Sequence, residues 1–204
     1  MLLTGFELAH KYFPHGGTCL EFGVGQGTSY ELMAKRIYYK YHHDILIGFD
    51  SWQGLPKETE NVWFPERHGE GGMEFSKELV CKKLDKFTDE HDPKFRFVDG
   101  FYSDSLTQEI QKSITNLIFV NIDVDLHKST LEVLNFIKPL LQVNTILYFD
   151  DWKDPYDGER EDGSAWGEHR AWADWIANNQ EIETEILDIN VLNQHLMRVK
   201  SIGK

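Results

Sequence analysis

The chain has 204 residues, with hydrophobic side chains at 41% and charged ones at 27%, the proportions of a single folded domain of ordinary soluble type. Lys plus Arg number 21 and Asp plus Glu 34, leaving a net charge of −13. So acidic a chain lacks the basic footprint of a general nucleic-acid binder and repels anionic membranes. No apolar run approaches the ~20 residues of a membrane-spanning helix. Residues 1–14 lack the layout of a targeting segment. Two cysteines, Cys19 and Cys81, give no disulfide framework, so a cytoplasmic location is expected.

In chain order, residues 1–16 are expected to form an N-terminal helix. Thr18–Phe22 reads as a short strand that runs into a Gly-rich turn. Tyr30, Met33, Ile37 and Tyr41 then recur at helical spacing on one face. Residues 44–49 (DILIGF) form a buried strand, and residues 74–89 a polar helix. Residues 95–98 and 116–123 give a third and a fourth strand, the latter apolar almost throughout, as in parallel sheets covered on both faces. Leu131, Leu134, Ile137 and Leu141 mark a helix, and residues 143–149 a fifth strand. Ala165, His169, Trp172 and Ile176 mark one more helix. Residues 181–189 and 191–200 then follow as strands with too little chain between them for a crossover, so the last strand is antiparallel. Alternating strands and helices make an α/β fold. A parallel sheet closed by a terminal hairpin resembles the class I methyltransferase (Rossmann-like) fold: seven strands, mostly parallel, with an antiparallel last strand and helices on both faces.

The first turn, Glu21-Phe22-Gly23-Val24-Gly25-Gln26-Gly27-Thr28-Ser29, sets glycines where backbone must approach a ligand and where a helix N-terminus offers free N–H groups. A dinucleotide fingerprint starting at Gly23 would need Gly at position 28, which is Thr. The pattern E-x-G-x-G-x-G instead resembles the S-adenosylmethionine site of class I methyltransferases. Glu21 would face the ammonium end of the cofactor, while Gly23, Gly25, Gly27, Thr28 and Ser29 form its seat. Asp50, followed by Ser51, ends the second strand, where a carboxylate accepts hydrogen bonds from ribose hydroxyls. Asp99 is placed beside the adenine, with an ordinary turn as its other reading.

The fourth strand runs out at Asn121-Ile122-Asp123-Val124-Asp125 and the fifth at Tyr148-Phe149-Asp150-Asp151. Acids at the ends of buried strands need compensation. Strand alternation puts Asp123 and Asp125 on one face, and neighbouring strands bring all four acids to the carboxyl edge, where ligands bind in open α/β sheets. Clustered like charges with no thiolate suit a hard divalent cation, Mg²⁺ first. The competing reading is capping, with Asp125 as cap of the following helix and Asp150 or Asp151 as cap of a turn.

The segments LEFGVGQGTS (20–29), GFDSWQGLP (48–56), VDGFYSDSL (98–106), NIDVDLHKST (121–130), YFDDW (148–152) and GEHRAW (167–172) together resemble the macrocin/mycinamicin O-methyltransferase family, also called TylF. The resemblance implies an enzyme using S-adenosylmethionine and a divalent metal to methylate a small-molecule hydroxyl, in the best-known members a sugar hydroxyl of a natural product. Asp123, Asp150 and Asp151 match the family's metal ligands, Asp125 its proposed general base, and Glu21, Gly23, Gly25 and Asp50 its cofactor positions. His127 stands where a tyrosine is usual and is a candidate substrate contact. The long segment 54–72 is read as a mobile lid over the acceptor, with Trp63 and Phe64 as rings for a sugar's apolar face and Gly69, Gly71 and Gly72 as hinges. A homo-oligomer is compatible with the family, and no nucleic-acid or membrane partner is expected. The rival functions are a nicotinamide-dependent oxidoreductase, disfavoured by Thr28 and the four acids, and a non-catalytic S-adenosylmethionine-binding protein, which has no need of Asp125.

Overall fold

The computed structural model describes residues 1–57, 69–88, 92–152, 167–189 and 194–203. Helix α1 (Leu2–Tyr12) leads to β1 (Thr18–Phe22), α2 (Thr28–Tyr39) and β2 (Ile45–Asp50). There follow α3 (Lys77–Leu84), β3 (Phe95–Asp99), two short helices, α4 (Tyr102–Ser105) and α5 (Gln108–Ser113), and β4 (Leu117–Ile122). Then come α6 (His127–Ile137), a 3-10 turn (Lys138–Leu140), β5 (Ile146–Phe149), α7 (Gly167–Ala177), β6 (Ile182–Ile189) and β7 (His195–Ile202).

The seven strands lie in the order β3-β2-β1-β4-β5-β7-β6. Strands β1 to β5 pair in parallel, and β7 runs antiparallel to both its neighbours. This is the class I methyltransferase plan expected from the sequence. Every residue of β1, β4 and β5 is buried, because helices cover both faces. On one face Cys19, Ile146 and Tyr148 pack under Phe6 and Ala9 of α1 and Met33 and Ile37 of α2. On the other, Leu20, Phe22, Val120 and Phe149 pack under Val133 and Leu134 of α6 and Trp172 and Trp175 of α7. The alternation along β1, β4 and β5 therefore feeds two cores, and Glu21 of β1 and its register partner Asn121 of β4 are buried polar residues among them.

Several boundaries differ from expectation for local reasons. Helix α1 stops at Tyr12 because Phe13 precedes Pro14, and a residue before proline is pushed out of the helical region. Helix α6 begins at His127, a turn earlier than its apolar face, and gives way at Ile137 to the 3-10 turn carrying Pro139. Helices α4 and α5 were not anticipated. They are too short to show a periodicity, and α5 buries none of its residues. Among the described residues no helix is long and apolar enough to cross a membrane.

At the amino-terminal edge of the sheet, α1 is tied down by a buried polar pair. His10 Nδ1 donates to the Phe6 carbonyl at 2.7 Å, and its Nε2 meets Asp44 Oδ2. The other Asp44 oxygen accepts the Gly17 N–H at 2.9 Å, and the imidazole stacks on Tyr41 with ring centroids 3.5 Å apart. Asp44 is 0% and His10 9% exposed, so neither can turn to water if its partner is lost. Asp44→Ala is expected to lower stability by about 3–5 kcal/mol, the cost of orphaning half of a buried pair. Urea unfolding of the variant checks this; an unchanged midpoint would refute it.

Candidate active site

The strand order reverses between β1 and β4, since β1 pairs with β2 on one side and β4 on the other. A cleft of about 260 Å³ opens there, at the carboxyl edge where such a reversal leaves room for a ligand. Gly23, Gly25, Thr28, Ser29, Asp50 and Ser51 line one side. Asp123, Asp125, Lys128 and Glu132 line the other, and Leu55, Pro56, Met73, Phe75, Phe101 and Tyr102 add apolar and aromatic surface.

The turn between β1 and α2 is built on left-handed backbone, with φ of +81° at Gly23, +52° at Gly25 and +74° at Gly27. A Cβ at Gly23 would lie 1.7 Å from the Asp123 carbonyl oxygen, so no other residue lets the turn rest on the β4 end. Asp50 holds the turn from β2: one of its oxygens accepts the Gly25 N–H at 2.8 Å and the other the Trp52 N–H at 2.8 Å. Helix α2 starts at Thr28, so its free N–H groups face the cleft.

Beyond β4 and β5, carboxylate oxygens of Asp123, Asp150 and Asp151 lie within 4.8 Å of one another. Tyr148 Oη and Gln194 Nε2 each donate to the same Asp150 oxygen at 2.6 Å, which orients that carboxylate. The Asp151 carboxyl lies against those of Asp125 and Asp123. Burial and the neighbouring acids, Asp151 foremost, push the Asp123 carboxyl well above the usual range; burial and Asp125 do the same to Asp151. Three convergent hard oxygen donors, destabilised as anions by one another, fit a divalent cation of the Mg²⁺ kind.

Glu168, at the start of α7, belongs to this cluster and was given no role by the sequence. It is fully buried. One oxygen accepts the Val124 N–H at 3.0 Å and the other the Asp151 N–H at 3.1 Å. Burial, then Asp151, raises its carboxyl well above the usual value. Its position in a helix, far along the chain from both strand ends, offered no spacing signal.

Other expectations need correction. Asp123 and Asp125 do not share a strand face, because β4 ends at Ile122 and Asp125 sits at a left-handed φ of +58°; a turn, not alternation, brings the two acids together. Asp125 does not cap α6 either: the cap is Leu126, without a side-chain hydrogen bond. Gly27 does not line the cleft; a Cβ there would meet Val80 at 2.6 Å, so the glycine serves packing against α3. Asp99 points to Lys77 Nζ at 2.6 Å and Trp52 Nε1 at 2.9 Å rather than lining the cleft. His127 is not on the cleft wall but pairs with Asp174 of α7 at 3.0 Å. His195, in β7, is buried and stacked on Trp152 at 4.1 Å. Gly71 and Gly72 are not free hinges, since Gly71 N–H donates to the Leu55 carbonyl at 2.9 Å and Leu55 N–H to that of Gly72 at 2.7 Å. Trp63 and Phe64 lie outside the described residues.

Glu21 stands in β1 beneath the turn rather than in the cleft wall. One oxygen accepts from Asn121 Nδ2 at 2.9 Å and from the Ser29 hydroxyl, which does reach the cleft. The other is buried with no partner among the described residues. Burial, reinforced by the charges of Asp50 and Asp150, raises its carboxyl from 4.5 to about 8. A raised folded value means that the native state holds a proton the unfolded chain has released. Stability from this group is therefore complete below pH 4.5 and lost as pH rises toward about 8. Glu21→Gln is expected to flatten that part of the pH–stability curve, measured as melting temperature between pH 5 and 9 (about the window of the shift). An unaltered slope would refute it.

The sequence matches the family described as macrocin O-methyltransferase (TylF) over residues 14–191. No curated protein matches the chain at a significant level. Among solved structures, the O-methyltransferase NovP superposes with a TM-score of 0.74 at 20% identity, covering 98% of this chain and 79% of its own. The calicheamicin methyltransferase CalS11 gives 0.73 at 20% identity, covering 97% and 77%. An O-methyltransferase from Bacillus cereus in complex with SAH gives 0.59 at 16% identity, covering 98% and 81%. These likenesses carry the fold; the sequence match, which spans most of the chain and every acid of the site, carries the family. With the glycine turn, Asp50, Asp123 and Asp125 in one cleft and the family's sequence matched over residues 14–191, the chain belongs to the macrocin O-methyltransferase (TylF) family.

Proposed function

We propose that this chain transfers the methyl group of S-adenosylmethionine to a hydroxyl of a small molecule, a sugar of a glycan or natural product, with the help of a divalent ion, Mg²⁺ first. The observation that carries this reading is one cleft bordered on one side by the Gly23–Gly25 turn and Asp50 and on the other by Asp123 and Asp125. NovP and CalS11 are O-methyltransferases of like fold, and CalS11 is described as a TDP-rhamnose 3′-O-methyltransferase, which supports a sugar acceptor. The SAH complex of the Bacillus cereus enzyme supports the cofactor.

On this reading, the glycine turn and the α2 N-terminus seat the methionine part of the cofactor, and Asp50 faces its ribose. Ser51 continues that wall. The buried, unpartnered oxygen of Glu21 beneath the turn is an acceptor for the ammonium group, whose positive charge favours the ionised form of the Glu21 carboxyl once the cofactor docks. Asp123, Asp150 and Asp151 would hold the ion, which when bound would supply Lewis acidity that eases loss of the acceptor hydroxyl's proton. Asp125, beside these three but outside the ligand set, accepts that proton. The oxygen's electron pair forms the new O–CH₃ bond as the S–CH₃ bond breaks, leaving the neutral thioether S-adenosylhomocysteine. The acceptor contacts fall to Met73, Phe75 and Phe101 on the cleft rim. The segment 54–72, of which residues 58–68 lie outside the described residues, is the proposed lid, its flanks joined between Leu55 and Gly72.

Three measurements test this reading. Mass spectrometry should detect methyl transfer onto glycan or natural-product sugars with Mg²⁺ present, lost with chelator and restored by excess Mg²⁺; full turnover in chelator would refute the metal role. Calorimetry should show S-adenosylhomocysteine binding that Asp50→Ala weakens by about tenfold or more, the worth of one hydrogen bond to a charged group. Asp125→Asn keeps the shape but removes the proton acceptor, and should cut turnover by roughly 10²–10⁴ with cofactor binding unchanged. A loss below about threefold would remove Asp125 from the role of base.

A further inference from the structure

The ladder between β4 and β5 ends with the Asp150 N–H bonded to the Ile122 carbonyl at 2.9 Å. The ligand-bearing turns extend past that rung. What joins them beyond it is a side chain: the two oxygens of Glu168 take the N–H of Val124, between Asp123 and Asp125, and the N–H of Asp151. Only a carboxylate offers two acceptor oxygens on one rigid plane; an amide would set an NH₂ against one of those N–H groups. Helix α7 is docked closely enough to deliver this carboxylate because residue 167 is glycine. A Cβ there would lie 2.3 Å from the Asp125 carbonyl oxygen. The arrangement has a cost, since it buries a fifth carboxyl among four acids. A residue serving packing alone would be apolar at this position.

We infer that Glu168 is a positioning residue for the metal centre: by bridging Val124 and Asp151 it fixes the separation of the Asp123 and Asp151 carboxylates, and so sets the affinity of the site for a divalent ion. The inference rests on the metal-assisted reading above. Glu168 stands behind the ligands rather than among them, since the carboxylate oxygens that converge within 4.8 Å belong to Asp123, Asp150 and Asp151. Its effect on turnover passes through the ligands.

The test is Mn²⁺ binding to the intact chain, followed by electron paramagnetic resonance of the free ion, for wild type, Glu168→Gln and Glu168→Ala. S-adenosylhomocysteine binding by calorimetry serves as the control for a folded cofactor side. Both variants should bind Mn²⁺ roughly 10–100-fold more weakly, the usual cost of removing an outer-shell partner, with S-adenosylhomocysteine affinity unchanged. In turnover assays the Mg²⁺ concentration for half-maximal rate should rise while the rate at saturating Mg²⁺ recovers. If Glu168→Ala fails to fold, Glu168→Gln, which keeps the volume and one acceptor, decides. Wild-type Mn²⁺ affinity in a folded Glu168→Gln overturns the inference while leaving the metal reading intact. No Mn²⁺ uptake by the wild-type chain overturns both.

Discussion

Carboxylates do not gather in a half-buried pocket unless something holds them against their own repulsion, and in this fold the holding is done by backbone. Asp123 N–H bonds to the Phe22 carbonyl at 3.0 Å and Asp150 N–H to that of Ile122 at 2.9 Å. Each acid is thus fixed to the last rung of a ladder whose strands are buried throughout. Apolar burial of β1, β4 and β5 contributes roughly 25 cal/mol per Å² of apolar surface removed from water, and it anchors strand ends whose side chains would otherwise spread apart. The upward displacement of the Asp123, Asp151 and Glu168 carboxyls measures the same strain. A divalent cation held there would relieve it, because a bound ion becomes the largest local charge and favours the ionised form.

The two halves of the site are not independent. Gly23 touches the Asp123 carbonyl so closely that a single methyl group would separate them. Asp50 holds the neighbouring Gly25, and Tyr102 packs edge-on against Phe22 just before the turn, ring centroids 5.9 Å apart. The turn that would seat a cofactor and the strand end that carries the acids form one packed unit. Their relative distance is set by van der Waals contact rather than by long side chains. Transfer between two ligands benefits from that stiffness, since misplacement of reacting groups by about 1 Å costs up to 10² in rate.

Much of this could be read from the chain itself. The glycine turn, the strand-end aspartates and the terminal hairpin each leave a mark at short range: a repeat of glycines, a doublet of acids, a gap too small for a crossover. Asp123, Asp150 and Asp151 fall together because their strands are neighbours, which the alternation of elements already implied. What stayed hidden depends on three-dimensional partners. Glu168 acts from a helix whose start is stacked on another turn, and one acid among 34 acids carries no distinguishing pattern. Gly27 resembles a ligand-binding glycine, yet Val80, fifty residues on, decides its use. His127 sits in a motif of the site, but the helix that starts there turns it toward Asp174. The relation between Asp123 and Asp125 was anticipated in outcome and not in cause, because strand alternation does not continue to Asp125, three residues past the end of the strand at Ile122.

The place of β7 between β5 and β6 has a consequence for how the molecule comes into being. Synthesis runs from the amino terminus, and domains begin to organise as they emerge. Until residues 195–202 are made, β5 is an open edge, and edges with unpaired N–H and C=O groups invite pairing with other chains. Gln194, which precedes β7, also supplies one of the two donors that orient Asp150. The nascent chain therefore possesses its glycine turn, its first five strands and all of its clustered acids before Asp150 has both of its orienting donors. Assembly of the site is deferred to the insertion of the last strand, and that step at once closes the sheet, hides the edge and arms the chemistry.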